Sequence, residues 1–257
     1  MKGIQHHLIL IIGLILWGFL PVTISNAVFY LAVVIVSVCI GRAGYEQAKL
    51  RRTAWLRQYL KDSSTLNDSL AVGFLSMVII IPVAAFWAVV LLLNLRAGGW
   101  AIWVPVLAGF LIFLWSKRVL LPKVSEHVVQ SSVAPVVRKL SIFPTALTMI
   151  IISVAISLFA LHPNVEGLGW LETMERGTAE VQGAGILAFM ERLYTGISLT
   201  EYWAIQNTIK SLSTPVLLNV MGWMLFFLSK CAFVWAFCRL LVGLESLSQY
   251  FSQVKHG

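Results

Sequence analysis

Charged residues are scarce in this chain. Only 12% of the 257 residues are Asp, Glu, Lys or Arg, while 59% are hydrophobic. Soluble domains carry about 25% charged residues, and a buried core alone does not explain so large an apolar excess. Long apolar runs without charges are typical of membrane spans, because about 20 such residues cross the hydrocarbon layer. The composition argues against an ordinary soluble domain and predicts an all-α, polytopic membrane helix bundle.

Motifs for catalysis and for cofactor or metal binding are also missing. The sequence has no GxSxG, HExxH, P-loop or Rossmann glycine pattern. Its three cysteines form no CxxC pair, and its five histidines have no partner at metal-ligand spacing. Ser229 and Lys230 are adjacent, so on a helix they face different directions and do not form a Ser–Lys dyad. We therefore expect no enzyme, no cofactor and no metal.

Six apolar segments are present, and they predict about six transmembrane helices. They cover residues 7–20, 22–40, 70–95, 100–115, 140–161 and 215–237. The first two are short and are joined by a turn at Pro21, so a shallow hairpin is the alternative to two full spans. Lys2 and the apolar run after it resemble a signal peptide, but the second run follows at once and favours a retained hairpin.

Basic residues between these segments give an orientation. With the N-terminus in the cytoplasm, residues 1–7, 41–67, 117–139 and 239–257 also lie there and hold fourteen of the nineteen basic residues. Only four basic residues lie on the outer side. Positive charge is retained on the cytoplasmic side of cell membranes, so both termini are predicted to be cytoplasmic in a cell (inner) membrane.

The same rule accounts for the formal net charge of +8 without a nucleic-acid partner, and no basic patch alternates with aromatics as in strand-binding grooves. Residues 41–67 are predicted to continue the second helix as a basic cytoplasmic arm. Its lysines and arginines would meet anionic lipid headgroups, each contributing about 1 kcal/mol near the surface. Membrane lipids are therefore the expected partner of this arm, and a specific cytoplasmic partner is the alternative.

Residues 162–213 form the largest segment predicted outside the membrane. A helical pattern begins at Ile186, and Ser198 with Glu201 has the spacing of a capping box that would start a second helix. We expect two amphipathic helices. They either lie on the outer face of the bilayer, where Tyr202 and Trp203 suit the interface, or pack as a cap over the bundle.

Lys230 is the residue that least suits a passive span. It lies inside the last apolar segment, where a charge costs about 2.5–3.5 kcal/mol and is a functional hypothesis by default. Asn219 and Trp223, eleven and seven residues earlier, share its helix face. This stripe would face a pore, the bundle interior or a neighbouring subunit, unless Lys230 reaches a membrane surface. No acid lies inside another span, so we expect no buried ion pair within the chain.

Two further features concern helix shape and packing. Pro82 lies inside the third segment and is a candidate kink, because proline frees a backbone carbonyl in a helix. Ser153 with Ser157, and Ser37 with Gly41, are small residues four apart that permit close helix approach. These positions are candidate helix-packing sites.

Three functions follow from these features. The first is a non-enzymatic subunit that anchors or scaffolds a larger membrane complex with other subunits or with copies of itself. The second is a homo-oligomeric channel or small-solute transporter with Lys230 along the path. Against transport, the chain shows no internal repeat and few intramembrane polar groups. The third, an intramembrane enzyme, has the least support.

Overall fold

A computed structural model describes residues 2–56, 58–59, 74–159, 163–181, 183–208 and 216–254 of this chain. Within these ranges all regular secondary structure is helical. The helices are α1 (Lys2–Phe19), α2 (Val22–Leu56), α3 (Phe74–Ala97), α4 (Trp103–His127), α5 (Gln130–Phe159), α6 (Trp170–Ala179), α7 (Ile186–Thr208) and α8 (Val216–Val254). A single turn of 3₁₀ helix, Trp100–Ile102, leads into α4.

Helix α8 lies at the centre of the bundle. It contacts α1, α2, α3, α5 and α7. Its 39 residues correspond to a length of about 58 Å, so α8 extends well beyond the thickness of one hydrocarbon layer. Phe233, Phe237 and Leu240 on α8 are fully buried in the hydrophobic core. The remaining helices are arranged around this central apolar surface.

The predicted all-helical class is confirmed for the described residues, and their apolar helices support a membrane protein. Five described helical stretches are long and apolar enough to cross a membrane: Ile24–Thr53, Ser76–Ala97, Trp100–His127, Ser132–Phe159 and Val220–Phe251. The remaining predicted span, residues 7–20, corresponds to α1. The apolar part of α1, Gln5–Phe19, is shorter than the roughly 20 residues that a full crossing needs. This is the same helix whose sequence suggested a shallow hairpin.

Two predicted helix ends are wrong. Helix α4 continues ten residues beyond Lys117 to His127, and α8 continues fifteen residues beyond Arg239 to Val254. A charge ends an apolar run, but it does not break the backbone hydrogen bonds of a helix. Lys117 is also neutralised where it stands, since its Nζ lies 2.6 Å from Glu245 Oε1 on α8.

Helix α5 begins ten residues earlier than predicted, at Gln130 instead of Leu140. Its first turns therefore carry Arg138, which is buried and whose Nη2 lies 3.0 Å from Glu46 Oε2 on α2. Together with the Lys117–Glu245 pair, this contact joins α2, α4, α5 and α8 at one end of the bundle. We call this the Lys117 end.

The opposite end, which we call the Arg96 end, carries a cap made of α6 and α7. Arg96 at the end of α3 pairs with Glu191 on α7 and donates a 2.9 Å hydrogen bond to the carbonyl oxygen of Leu20. Tyr194 on α7 donates to Asn94 Oδ1 at 3.1 Å. These contacts fix α7 to the ends of α1 and α3.

The predicted break within the cap segment is wrong. Residues 186–208 form one continuous helix, α7, so Ser198 and Glu201 do not start a new helix. Trp203 is buried, and its Nε1 donates to the carbonyl oxygen of Leu168 at 2.9 Å. This indole is therefore buried within the cap itself, with Val165 and Ala204, and it is the contacts of Arg96 and Tyr194 that attach the cap to the bundle.

Helices α2 and α8 approach each other closely at Gly243. A Cβ atom at Gly243 would overlap the backbone carbonyl of Cys39. Gly41 lies nearby on α2 and faces α3, where a Cβ would come within 3.6 Å of Ala84 Cβ. The crossing at Gly243 therefore depends on the absence of a side chain, which is how small residues permit backbones to approach in membranes.

Replacing Gly243 by alanine tests this crossing. The added methyl must displace a backbone carbonyl, and overpacking of this kind costs about 1–3 kcal/mol. We expect Gly243→Ala to lower the thermal unfolding midpoint of the protein in detergent, followed by circular dichroism. Gly13→Ala is the control, because a Cβ there meets no atom within 4 Å. Equal midpoints for both variants would show that α2 and α8 do not cross at Gly243.

Candidate functional site

Lys230 forms an ion pair with a carboxylate from a neighbouring helix. Its Nζ lies 3.4 Å from Oε2 of Glu201 on α7. The Glu201 side chain is 2% exposed and that of Lys230 is 18% exposed. The lysine also lies over the ring of Phe226, 5.3 Å from its centre and one turn toward the start of α8. This direction agrees with the lean of helical side chains toward their own N-terminus.

The expectation that Lys230 has no acidic partner within the chain is therefore wrong. The sequence places Glu201 in a segment outside the predicted spans. In the structure, α7, which carries Glu201, packs against α8. A Cβ at Gly222 of α8 would overlap Ala204 of α7, which shows how closely these two helices approach. The Glu201 carboxylate is held against α8 in this contact.

A pattern in the sequence could have identified Glu201. Leu187, Tyr194 and Glu201 are spaced by seven residues, so they lie on one face of a continuous helix. Leu187 is buried in the main core, and that face is therefore the one directed at the bundle. The false helix break at Ser198 concealed this register.

Burial controls the electrostatics of the pair. It raises the pKa of the Glu201 carboxyl above its ordinary value, and the positive charge of Lys230 offsets part of that rise. Burial also raises the pKa of the Tyr194 hydroxyl, and the negative charge of Glu201 raises it further. A carboxylate without its lysine would be costly here, because removing one member of a buried pair leaves an uncompensated charge.

A cavity of about 580 Å³ lies beside this pair, between the helix ends and the cap. About half of its lining residues are apolar, among them Ile102, Pro105 and Phe233, and the rest are polar or charged groups of both the bundle and the cap. Lys230 lines it, as does Ser153, whose hydroxyl is buried and has no hydrogen-bond partner among the described residues. The cavity is therefore a mixed polar and apolar space next to the ion pair.

The other residues singled out from the sequence are dispersed. Ser157 lines the same cavity as Ser153 on α5. The ring of Trp223 packs on Phe226 and Phe227, with centres 5.9 and 6.2 Å away. The side chain of Asn219 is outside the described part of the structure. The predicted stripe of Asn219, Trp223 and Lys230 thus remains a prediction.

Two candidates lie away from the cavity. Pro82 lies within α3, which continues through it. The Ser37 hydroxyl on α2 is buried, with no hydrogen-bond partner among the described residues. Within the described ranges, no group of three or more His, Cys, Asp or Glu side chains is placed to hold a metal ion. Ser229 donates to the carbonyl oxygen of Phe226 at 3.1 Å, and its hydroxyl also hydrogen-bonds the Glu201 carboxylate. The expectation that Ser229 and Lys230 face different directions is therefore wrong, since both reach Glu201.

Comparisons with protein-family models, with curated proteins and with solved structures find no match for this chain.

Removing Lys230 tests the ion pair. Lys230→Met leaves the Glu201 carboxylate buried without its partner, which costs about 3–5 kcal/mol, whereas replacing both members by apolar residues is often neutral. We expect Lys230→Met to unfold at a lower temperature and Lys230→Met/Glu201→Leu to regain most of the loss. Arg176→Met is the control, since its exposed pair with Glu172 contributes about 0.3–0.5 kcal/mol. A double variant as unstable as the single one would contradict the pairing.

The defect should also depend on pH. The folded-state pKa of Glu201 is raised, so the folded chain binds this proton more tightly than the unfolded chain does. The associated stability is then present at low pH and is lost as pH rises through the folded pKa. Lys230→Met removes the charge that lowers this pKa. Its deficit relative to wild type should shrink as pH falls in thermal unfolding, and a pH-independent deficit would contradict this.

Proposed function

We propose that this chain is a non-enzymatic, multi-pass subunit of the cell (inner) membrane that anchors or scaffolds a larger membrane complex. Five apolar helices long enough to span a membrane support membrane insertion. The basic residues favour an arrangement with both termini in the cytoplasm. The Lys117 end of the bundle is then cytoplasmic and the cap is on the outer side.

One observation carries the proposal against its rivals. The charge most suggestive of a transport path, Lys230, is paired with Glu201 from the adjacent helix of the same chain. A lysine neutralised in this way contributes little to an electrostatic barrier that a pore would need. Its role is then to hold α7 against α8, which supports a structural subunit.

The cap offers a surface through which such a subunit would bind its partners. Phe189 and Leu193 on α7 are each about half exposed, and Ile197, one turn further along, is 40% exposed. These three side chains line one shallow groove on the cap. They form an exposed apolar face, and faces of this kind mark contacts with proteins or with the membrane.

The channel remains the second candidate, and the cavity of about 580 Å³ is what favours it. This cavity is lined by Lys230 and by the polar residues Ser153 and Asn94. It lies at the Arg96 end, between the helix ends and the cap. An ion path would have to extend from this cavity through the apolar core around Phe233 and Phe237.

The mass of the native assembly tests the proposed function. We expect purification of the full-length protein in a mild detergent to yield a stable assembly with other membrane polypeptides or with copies of this chain, measured by native mass spectrometry. Leu193→Ser and Ile197→Ser should weaken that assembly, while Leu111→Ser on α4, also exposed, serves as the control. A clean monomer, or a planar-bilayer current whose reversal potential changes with Lys230→Glu, would contradict the proposal.

The orientation has a separate test. With the native cysteines replaced, single cysteines at Glu175 and Ser125 report on the cap and the Lys117 end, because both residues are exposed. In intact cells a membrane-impermeant maleimide should label the cysteine at residue 175 and should label that at residue 125 only after permeabilisation. The reverse pattern would place both termini outside.

A further inference from the structure

A basic groove runs along α2, α5 and α8 near the Lys117 end. Its volume is about 370 Å³. The cationic side chains lining it are Arg138, Lys139 and Arg239, and the apolar side chains include Phe143 and Trp235. The groove is open at the bundle surface, where Phe143 is 73% exposed. An occupant of this groove therefore meets both positive charge and an apolar wall that continues onto the lipid-facing surface.

The charges in this groove are incompletely balanced. Arg138 is paired with Glu46, and its Nη1 donates to Gln249 Oε1 at 3.0 Å. Its Nε is buried and has no hydrogen-bond partner in the described part of the chain. Among the described residues, neither Lys139 nor Arg239 has a carboxylate partner. Two positive charges in the groove thus remain to be neutralised.

Arg239 is the more unusual of the two. It lies on α8 between the buried residues Cys238 and Leu240, within a stretch apolar enough to cross a membrane. Its guanidinium lies over the Trp235 ring, 4.8 Å from the centre. It also lines a smaller groove of about 230 Å³ together with Arg51. Charged residues at membrane depth are costly unless they meet an opposite charge or water.

We propose that the basic groove binds one anionic phospholipid. Its phosphate lies between Arg239 and Lys139, and one acyl chain follows the apolar wall past Phe143, Ala146 and Trp235. The phosphate supplies the negative charge that the protein does not, and the acyl chain requires the groove to open toward lipid. Basic pockets between helices on the cytoplasmic side are recognised sites for anionic headgroups. The inference is independent of the scaffold proposal, since either a subunit or a channel can carry such a lipid.

Charge complementarity and the apolar wall together favour a lipid over a soluble anion. Inorganic phosphate would satisfy Arg239 and Lys139 but would leave the surface around Phe143 and Ala146 uncovered. A zwitterionic lipid would cover that surface, but its headgroup brings a cation close to both basic side chains. An anionic phospholipid alone meets both conditions.

The binding test uses the full-length protein, delipidated in a neutral detergent and titrated with phosphatidylglycerol. Native mass spectrometry counts the bound lipids. We expect one tightly retained phosphatidylglycerol per chain and no comparable retention of phosphatidylcholine. Each of Arg239→Gln and Lys139→Gln should weaken binding about fivefold, because each removes one cation near the headgroup. Ala146→Phe should weaken it without any change in charge.

Arg118→Gln is the matched control, because Arg118 is a basic residue of the same end that is exposed on α4 and outside the groove. It should change the affinity less than twofold. Gel filtration and circular dichroism establish that each variant is folded, and Lys139→Gln carries the test if Arg239→Gln does not fold. Equal losses in Arg118→Gln and Arg239→Gln would overturn the proposal, as would competition by inorganic phosphate at the same concentration or unchanged binding by Ala146→Phe.

Discussion

The buried contact between Lys230 and Glu201 determines how the cap is attached to the bundle. Two opposite charges in an apolar interface are tolerated only close together, because each alone carries a large desolvation cost. This requirement fixes the register of α7 along α8. The close approach of Gly222 to Ala204 then follows, because helices held at this register meet through small residues. The cavity beside Lys230 is the space left between the cap and the helix ends.

Charged contacts at the other end of the bundle have the same effect on the spanning helices. Lys117 is paired with Glu245, and Arg138 with Glu46. Glu245 and Lys230 are fifteen residues apart on α8, which is about 22 Å along the axis. Most of that interval is apolar and buried. The bundle therefore resembles a membrane domain whose paired charges lie toward its two ends, whereas Lys139 and Arg239 in the basic groove lack a carboxylate partner among the described residues.

Much of this architecture could be predicted from the residues, because apolar runs report burial in lipid directly. The helical class and the position of the apolar stretches follow from that signal. The helix ends at Lys117 and Arg239 could not be read in this way, since a charge interrupts hydropathy without interrupting a helix. The reduced length of α1 was visible in the sequence, because its apolar stretch is short.

Only one of the two residues of the ion pair, Lys230, could be identified from a local feature of the sequence. Lys230 stood out because it is isolated in an apolar run, whereas Glu201 lay among five other glutamates of its segment and had no local feature to distinguish it. Its role depends on which face of α7 meets α8, and that is a property of the tertiary packing. Gly243 was missed for the same reason, because a lone glycine gives no sign of which backbone approaches it.

Lys230 and Glu201 form an ion pair within one chain, and the attachment of the cap depends on this pair. Solid-state NMR on the protein in lipid bilayers can measure this directly, through the dipolar coupling between ¹⁵Nζ of Lys230 and the ¹³C carboxyl carbon of Glu201. Diluting the doubly labelled chain into unlabelled protein restricts the signal to one molecule. A coupling that matches the 3.4 Å approach of Nζ to Oε2 and survives dilution is the predicted result. No coupling, or one lost on dilution, would show that Lys230 faces a pore or another subunit.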